Sequence, residues 1–571
     1  MYWFTRFYNW LTDYHPRLSV NFKFIAWNEP KPVPPLNDLA FASYRKVVDF
    51  AFKKHLYGYD RDYIISSFHR APPTPDLIYT ALAKGDLPDH VIPQDEHFQR
   101  ARAEAKKRFA PPKKVRPVHL FDLRHYPWKH KPSAEEPYTS NKELRRRLEE
   151  AARFKIIADA RMSVGNLLNY IFDDVSKFVH NIKAGIIKPG ESTPLVNVHV
   201  KTALTPIDEA KLRLIFGCSK RWIFPMCMFL WPLFRYYLYE QQSPLLWGYE
   251  TILGGWHRMN SELLCSYLYY QTFVTIDWSG FDLRALFSLM RMIYADWEDY
   301  IDFDNGYMPT KRYPTSSTEP HRLKRLWQWC VEAHFASAFR MPDGSTWIRL
   351  NRGILSGLFE TQFMDSHYNL IMIMTILDRL GFDISNIWIK VQGDDSITAL
   401  RFHIPANQHR DFKIQFAYWA KYYFDHKCND EKSETSNNLQ NVEVLGYRNN
   451  NGYPERDWRK ILAVLWNPRS RSPKPENTMA RCIGLVYASI YDRNVVNVCR
   501  DVYEYYESKG FLPNSSPDTT LEFQFMFDEV DIPRDHFPTQ LEVTRYLRSL
   551  NNVSDERKRR YWNPDWFLAE Y

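Results

Sequence analysis

Ile387-Trp-Ile-Lys-Val-Gln392-Gly393-Asp394-Asp395-Ser396-Ile-Thr-Ala-Leu400 is the stretch on which the fold turns. Two short apolar runs, Ile387–Gln392 and Ser396–Leu400, flank a Gly-Asp-Asp tripeptide. This reads as a β-hairpin with two adjacent carboxylates at its tip. Side chains alternate along a strand, but at a turn both acids can be splayed toward one metal. Gly393 removes a side chain where the backbone turns tightly or a substrate approaches. By itself the tripeptide also suits an ordinary surface turn, so its company decides the reading.

Upstream, Gln271-Thr-Phe-Val-Thr-Ile-Asp277-Trp-Ser-Gly280-Phe-Asp282 reads as a strand that delivers Asp277 at its C-terminal end. Asp282 follows beyond Gly280 and can fold back over the same place. Between the two acidic stretches lies Gly353-Ile-Leu-Ser356-Gly357-Leu-Phe-Glu-Thr361-Gln-Phe-Met-Asp365-Ser366-His-Tyr-Asn369. A Ser-Gly loop here leads into a helix-length segment ending near Leu380. Thr361, Asp365, Ser366 and Asn369 fall at helical spacings, so several share a face. Leu370–Leu377 is apolar almost throughout, which predicts a helix buried nearly all round, and its polar groups then need partners.

An acid, a Ser-Gly helix and Gly-Asp-Asp, in that order, resemble motifs A, B and C of viral RNA-dependent RNA polymerases. In detail the stretches are most similar to the polymerases of partitiviruses, whose genomes are bisegmented double-stranded RNA. Lys211-Leu-Arg213-Leu-Ile-Phe-Gly217, preceded by His199-Val-Lys201-Thr, resembles the basic fingers motif. Asn429-Asp-Glu-Lys432-Ser433 resembles the lysine-bearing motif D, and Val444-Leu-Gly446-Tyr447 with Asn451-Gly452-Tyr-Pro454-Glu-Arg456 resembles motif E. The resemblance spans roughly residues 195–465. Lys201 departs from it, because many relatives have arginine there; charge is kept, but not the bidentate fork.

The resemblance implies an α+β right-hand fold, helix-rich overall, whose palm is an antiparallel sheet backed by helices. It implies an N-terminal strap over 1–60 and fingers over 61–260. The palm occupies 261–300 and 351–465, with a fingers insertion at 301–350. Thumb and tail take 466–571. The implied activity is replication and transcription of a double-stranded RNA genome, without a primer. The implied partners are template and product RNA, ribonucleoside triphosphates and a viral capsid protein, in the virion interior or host cytoplasm. No membrane partner is expected. Two other readings are a reverse transcriptase and a non-catalytic, capsid-associated RNA-binding protein on a polymerase fold.

The chemistry follows from residue types. Joining a nucleotide to an RNA 3′ end is an in-line phosphoryl transfer, governed by positioning and charge neutralisation. Two divalent ions about 3.5–4 Å apart suit it. Mg²⁺, with Mn²⁺ as a substitute, prefers carboxylate oxygens and fills its shell with waters and phosphates. Asp277 and Asp394 are the candidate ligands, with Asp395 supporting. Lys201, Lys211 and Arg213 are candidates for the triphosphate, and Lys432 for protonating pyrophosphate. For the sugar, the resemblance assigns Asp282, Ser356 and Asn369, with Gly357 and Thr361 in the same nucleotide-binding set. Polar groups built to meet a 2′-hydroxyl reject the analogue lacking it. Asp282 also argues against a reverse transcriptase, which has a bulky residue in that region.

Composition agrees. The 571 residues are 45% hydrophobic and 16% aromatic, enough for a large core, and the net charge of +8 suits a polyanion bound in a basic channel. Cys218, Cys227, Cys265, Cys330, Cys428, Cys482 and Cys499 form no CxxC pair and are odd in number, which predicts reduced, buried thiols. Trp222–Phe234 is apolar but short of a bilayer span and contains Pro225 and Pro232. Arg102–Lys131 is basic and proline-interrupted, an exposed linker or an RNA-facing loop. Glu135–Ala152 predicts an amphipathic helix. Arg469–Glu476 reads as a palm–thumb connector. Arg557–Arg560, followed by Tyr561, Trp562, Trp566, Phe567 and Tyr571, is either an RNA grip or a solvated turn before a packing tail.

Overall fold

Trp388–Gln392 and Asp395–Leu400 pair antiparallel with Asp395 opposite Gln392, which leaves Gly393 and Asp394 as the two-residue loop of a hairpin. The computed structural model describes residues 18–30, 37–240, 243–264, 269–514, 532–549 and 555–568. The hairpin belongs to a four-stranded antiparallel sheet in the order Glu434–Ser436, Thr272–Thr275, Asp395–Leu400, Trp388–Gln392. Helix Thr361–Arg379 packs on this sheet and also against helices Glu96–Phe109, Phe287–Glu298 and His409–Phe424. Contact on so many sides explains why every residue from Phe363 to Leu377 is buried.

A second sheet has five strands, ordered Phe22–Trp27, Ser345–Arg349, Ala338–Arg340, Val196–Thr202, Leu212–Gly217. Its last two strands form an antiparallel pair with Lys201 directly opposite Arg213. A separate hydrophobic core holds helices Asp38–His55, Trp458–Trp466, Pro475–Ala488 and Arg493–Glu507, with Val48, Phe52, Leu462, Val486 and Val502 inside it. Strand Phe68–Arg70 pairs with Leu204–Pro206 and so joins the two regions. Arg70 adds to the joint, donating to the carbonyls of Thr202 (2.9 Å) and Asn467 (2.6 Å).

The structure adds detail to the local expectations at four segments. The helix expected over Glu135–Ala152 begins at Lys142, because Asn141 caps it by accepting from Leu144 N–H at 3.1 Å. Glu135 turns inward at φ 62°, and its carboxylate accepts from Asn197 (2.9 Å) and bonds His199 (3.1 Å). Arg102–Lys131 is neither a linker nor a free RNA-facing loop. Its first part lies in helix Glu96–Phe109, where Arg102 pairs with Asp296 at 2.8 Å, and its later part buries Val115, Val118, Leu120 and Leu123. Arg469–Glu476 connects helices Trp458–Trp466 and Pro475–Ala488, which share one core. Near the C-terminus, the rings pack into the protein. Trp562 and Phe567 stack at 3.8 Å, both stand edge-on to Trp231, and Trp566 donates to Asp122 at 3.1 Å. Arg557 and Tyr571 lie outside the side chains described, as do residues 1–17.

The six described cysteines are buried and form no disulfide; Cys265 lies outside the described residues. Trp222–Phe234 sits inside helix Lys220–Glu240, and no described helix is long and apolar enough to cross a membrane.

Candidate active site

Asp277 stands just beyond strand Thr272–Thr275. Its N–H donates to Ser433 Oγ (3.0 Å), and its carbonyl accepts from Asn429 N–H (2.8 Å). These bonds pin the turn that carries Lys432 beside the strand end. Across the sheet, Gly393 takes a positive φ of 63°, and a Cβ there would meet nothing within 4 Å. The glycine therefore answers the turn's backbone conformation rather than crowding.

Helix Thr361–Arg379 holds the hairpin tip. Ser366 Oγ accepts from Gly393 N–H at 2.9 Å. Asn369 Nδ2 donates to the carbonyls of Gly393 and Asp394, both at 3.0 Å, and Asn369 Oδ1 accepts from the Trp278 indole at 2.9 Å. Asn369, expected at the sugar, contacts the hairpin and Trp278 in this structure. Both ends of its amide are occupied by the hairpin and Trp278, and the side chain is fully buried. The buried acid one turn earlier, Asp365, has an Oδ1 without a hydrogen-bond partner and interacts with Asp282 and Asp394.

Ser356, Gly357 and Thr361 build a loop pressed against strand Leu212–Gly217. Ser356 Oγ accepts from Phe216 N–H at 3.2 Å, and a Cβ on Gly357 would lie 1.7 Å from the Phe216 carbonyl oxygen. Thr361 Oγ1 donates to Leu355 O at 2.7 Å and accepts from Leu358 N–H at 3.2 Å. The strand that receives this loop is the one that presents Arg213.

The electrostatics are those of crowded acids facing cations. Asp394 and Asp395 keep exposed surface, but protein walls surround them on most sides and desolvate them. Desolvation, then the charges of Asp394 and Asp277, push Asp395 up to about 7. Desolvation raises Asp394 too, with Asp277 adding and Arg213 and Lys211 opposing. Asp282 rises to about 6 through burial and Asp394, and burial lifts Asp365 well above the usual carboxylate range. On the other side, Lys211 is lowered by desolvation and by Arg213, Lys432 and Lys84, while Asp277 pulls it up. Sequence reasoning missed Lys84, which lies against Gly280, and gave Asp365 no role although it stands four residues past Thr361.

Asp277, Asp394 and Asp395 offer hard oxygen donors whose mutual repulsion a divalent cation would relieve. Among the described residues, no three His, Cys, Asp or Glu side chains come together as a group that could hold a metal ion.

No family model matches the chain. Over 95% of its length it is 35% identical to the RNA-directed RNA polymerase of White clover cryptic virus 1, covering 95% of that protein. It is 26% identical to the RNA-directed RNA polymerase of Atkinsonella hypoxylon virus, over 77% of this chain and 72% of that one. Among solved structures, the Sicinivirus 3Dpol RNA-dependent RNA polymerase superposes with a TM-score of 0.59 at 16% identity, over 93% of this chain and 100% of the other, which is a likeness of fold. Such viral polymerases generally use divalent metal ions. Taken with the acids and cations of the cleft, these similarities place the chain in the family of viral RNA-directed RNA polymerases, the right-hand enzymes that synthesise RNA on a template.

Proposed function

We propose that the cleft between the Gly393–Asp395 hairpin and the Lys201–Arg213 strand pair performs primer-independent, metal-assisted ribonucleotide transfer. The observation that carries this is the crowding of Asp277, Asp394 and Asp395 opposite Lys84, Lys211, Arg213 and Lys432. Asp277 and Asp394 would hold Mg²⁺ or Mn²⁺, with Asp395 supporting, and the bound ions supply charge neutralisation at the attacking and leaving oxygens. Lys211 and Arg213, with Lys201 opposite, take the triphosphate. Lys432, carried beside Asp277 by the Asn429–Ser433 turn, donates a proton to the leaving pyrophosphate. Asp282 and Asp365 read the ribose 2′-hydroxyl, while Ser356, Gly357, Thr361 and Asn369 shape the surfaces around it.

In this reading the palm is the four-stranded sheet with helix Thr361–Arg379. The fingers include the five-stranded sheet, and the thumb is the separate helical core with Asp38–His55 strapped onto it. Template and product RNA occupy the cleft, ribonucleoside triphosphates enter it, and capsid protein surrounds the enzyme in the virion interior or host cytoplasm. The test is unprimed RNA synthesis on a single-stranded template with Mg²⁺ and four ribonucleotides, alongside Asp394→Ala. Full-length product from the wild type and none from the variant is expected. Equal product from both would refute the metal assignment.

A further inference from the structure

Asn21 lies outside all the motifs, in the N-terminal strand region, and is completely buried. Its Nδ2 donates to the carbonyls of Gly85 (2.9 Å) and Arg352 (3.1 Å). Its Oδ1 accepts from the N–H groups of Leu350 (3.2 Å), Asn351 (2.9 Å) and Arg352 (3.2 Å). One short side chain thus satisfies five backbone groups in two distant loops. The residue is itself fixed, because the Asp86 carboxylate accepts from the N–H groups of Ser19 (3.0 Å), Val20 (3.1 Å), Asn21 (2.7 Å) and Phe22 (3.2 Å).

Both loops touch the nucleotide cleft. The Leu350–Arg352 segment runs directly into Gly353 and the Ser356-Gly357 loop. Its backbone bonds the Asp282 segment, with Asn351 O accepting from Phe287 N–H (2.9 Å), Gly353 N–H donating to Ala285 O (2.8 Å) and Ile354 N–H to Asp282 O (2.7 Å). The Lys84–Asp86 loop presses on the same segment from the other side. A Cβ on Gly85 would lie 2.8 Å from Leu283 O, and Lys84 packs near Gly280. Asn21 therefore sits where the two loops that bracket Asp282 are stitched together.

We propose that Asn21, anchored by Asp86, is a positioning residue for ribose selection. It touches no substrate. It sets the register between the Leu350–Gly357 loop and the Asp282 segment, and so the separation of the groups that meet the 2′-hydroxyl. This rests on the reading of Asp282 and Asp365 given above. Misplacing a binding group by a fraction of an ångström lowers selectivity before it abolishes turnover.

The experiment measures kcat/KM for a ribonucleotide and for its 2′-deoxy analogue on the full chain. It compares wild type, Asn21→Ala, Asn21→Asp and Asp365→Ala, with a thermal midpoint for each. The ratio of the two kcat/KM values is insensitive to the fraction of protein that is folded. Asn21→Ala is expected to lower that ratio about tenfold. Asn21→Asp keeps the three accepting contacts but sets an acceptor oxygen against the Gly85 and Arg352 carbonyls, so it should lower the ratio too. A lower thermal midpoint with an unchanged ratio would reduce Asn21 to a structural residue and overturn the proposal. A shifted ratio in Asp365→Ala but not in Asn21→Ala overturns the proposal and leaves the ribose reading standing. An unchanged ratio in both overturns the two together. If Asn21→Ala yields no soluble protein, Asn21→Asp carries the test. Loss of its two donated bonds then predicts a fall in the ratio, and no fall refutes the proposal.

Discussion

Asn369 and Asp365 stand one turn apart on the same helix face, yet their surroundings give them opposite work. Asn369 is a strut whose amide is saturated by backbone carbonyls and an indole. Asp365 keeps a buried oxygen with no partner. Asn369→Ala should cost about 2–3 kcal/mol in urea unfolding, since it strands the Trp278 N–H and the hairpin carbonyls. It should lower kcat while leaving the preference for ribose over deoxyribose unmoved. Asp395 makes a second prediction. Its folded-state value, about 7, lies above its unfolded value near 3.8, so the folded chain keeps a proton that the unfolded chain releases. Stability therefore falls as pH rises between those values, and the loss is complete above the folded value. Asp395→Asn should raise the metal-free thermal midpoint at about pH 8 and change it little near pH 3.5. Added Mg²⁺ should raise the wild-type midpoint more than the variant's.

At the scale of elements, two glycines separate two kinds of constraint. Gly393 faces open space and needs only its positive φ, so Gly393→Ala should cost about 1–2 kcal/mol. Gly357 meets the Phe216 carbonyl, so Gly357→Ala must part the Ser-Gly loop from the strand carrying Arg213. A loss of about 3 kcal/mol is expected, with a raised KM for nucleotides, read from urea unfolding and initial rates. The hairpin, the strand ending at Asp277 and the buried helix were legible because each announces itself in local spacing and residue type. The docking of Ser356 and Gly357 on Phe216 was not, since nothing in the spacing says which distant backbone the loop will meet. The same holds for Glu135. Its sequence suits a helix, but a long-range pairing with Asn197 and His199 overrides that preference. Lys84, Asn21 and Asp86 stayed hidden for the same reason, as ordinary polar residues whose meaning lies in partners far along the chain.

Across the whole molecule, the helical core around Phe52 and Leu462 meets the strands of the cationic pair at Arg70. Its guanidinium bonds Thr202 on one side and Asn467 on the other. Arg70→Ala should raise nucleotide KM about tenfold, and hasten loss of bound RNA in a salt-challenge assay, because two charge-assisted bonds worth roughly 1.5–3 kcal/mol each disappear. Unchanged KM and RNA retention would mean that the Phe68–Arg70 strand pairing suffices. The chain also enters and leaves this core more than once. Residues 22–27 and 561–567 belong to the sheet and rings outside it, while 38–55 and 458–507 lie within it. A beam fixed at one end swings freely, whereas one clamped at both ends stiffens as it is loaded. Tied by several crossing segments in this way, the helical core and the five-stranded sheet are expected to resist being pulled apart.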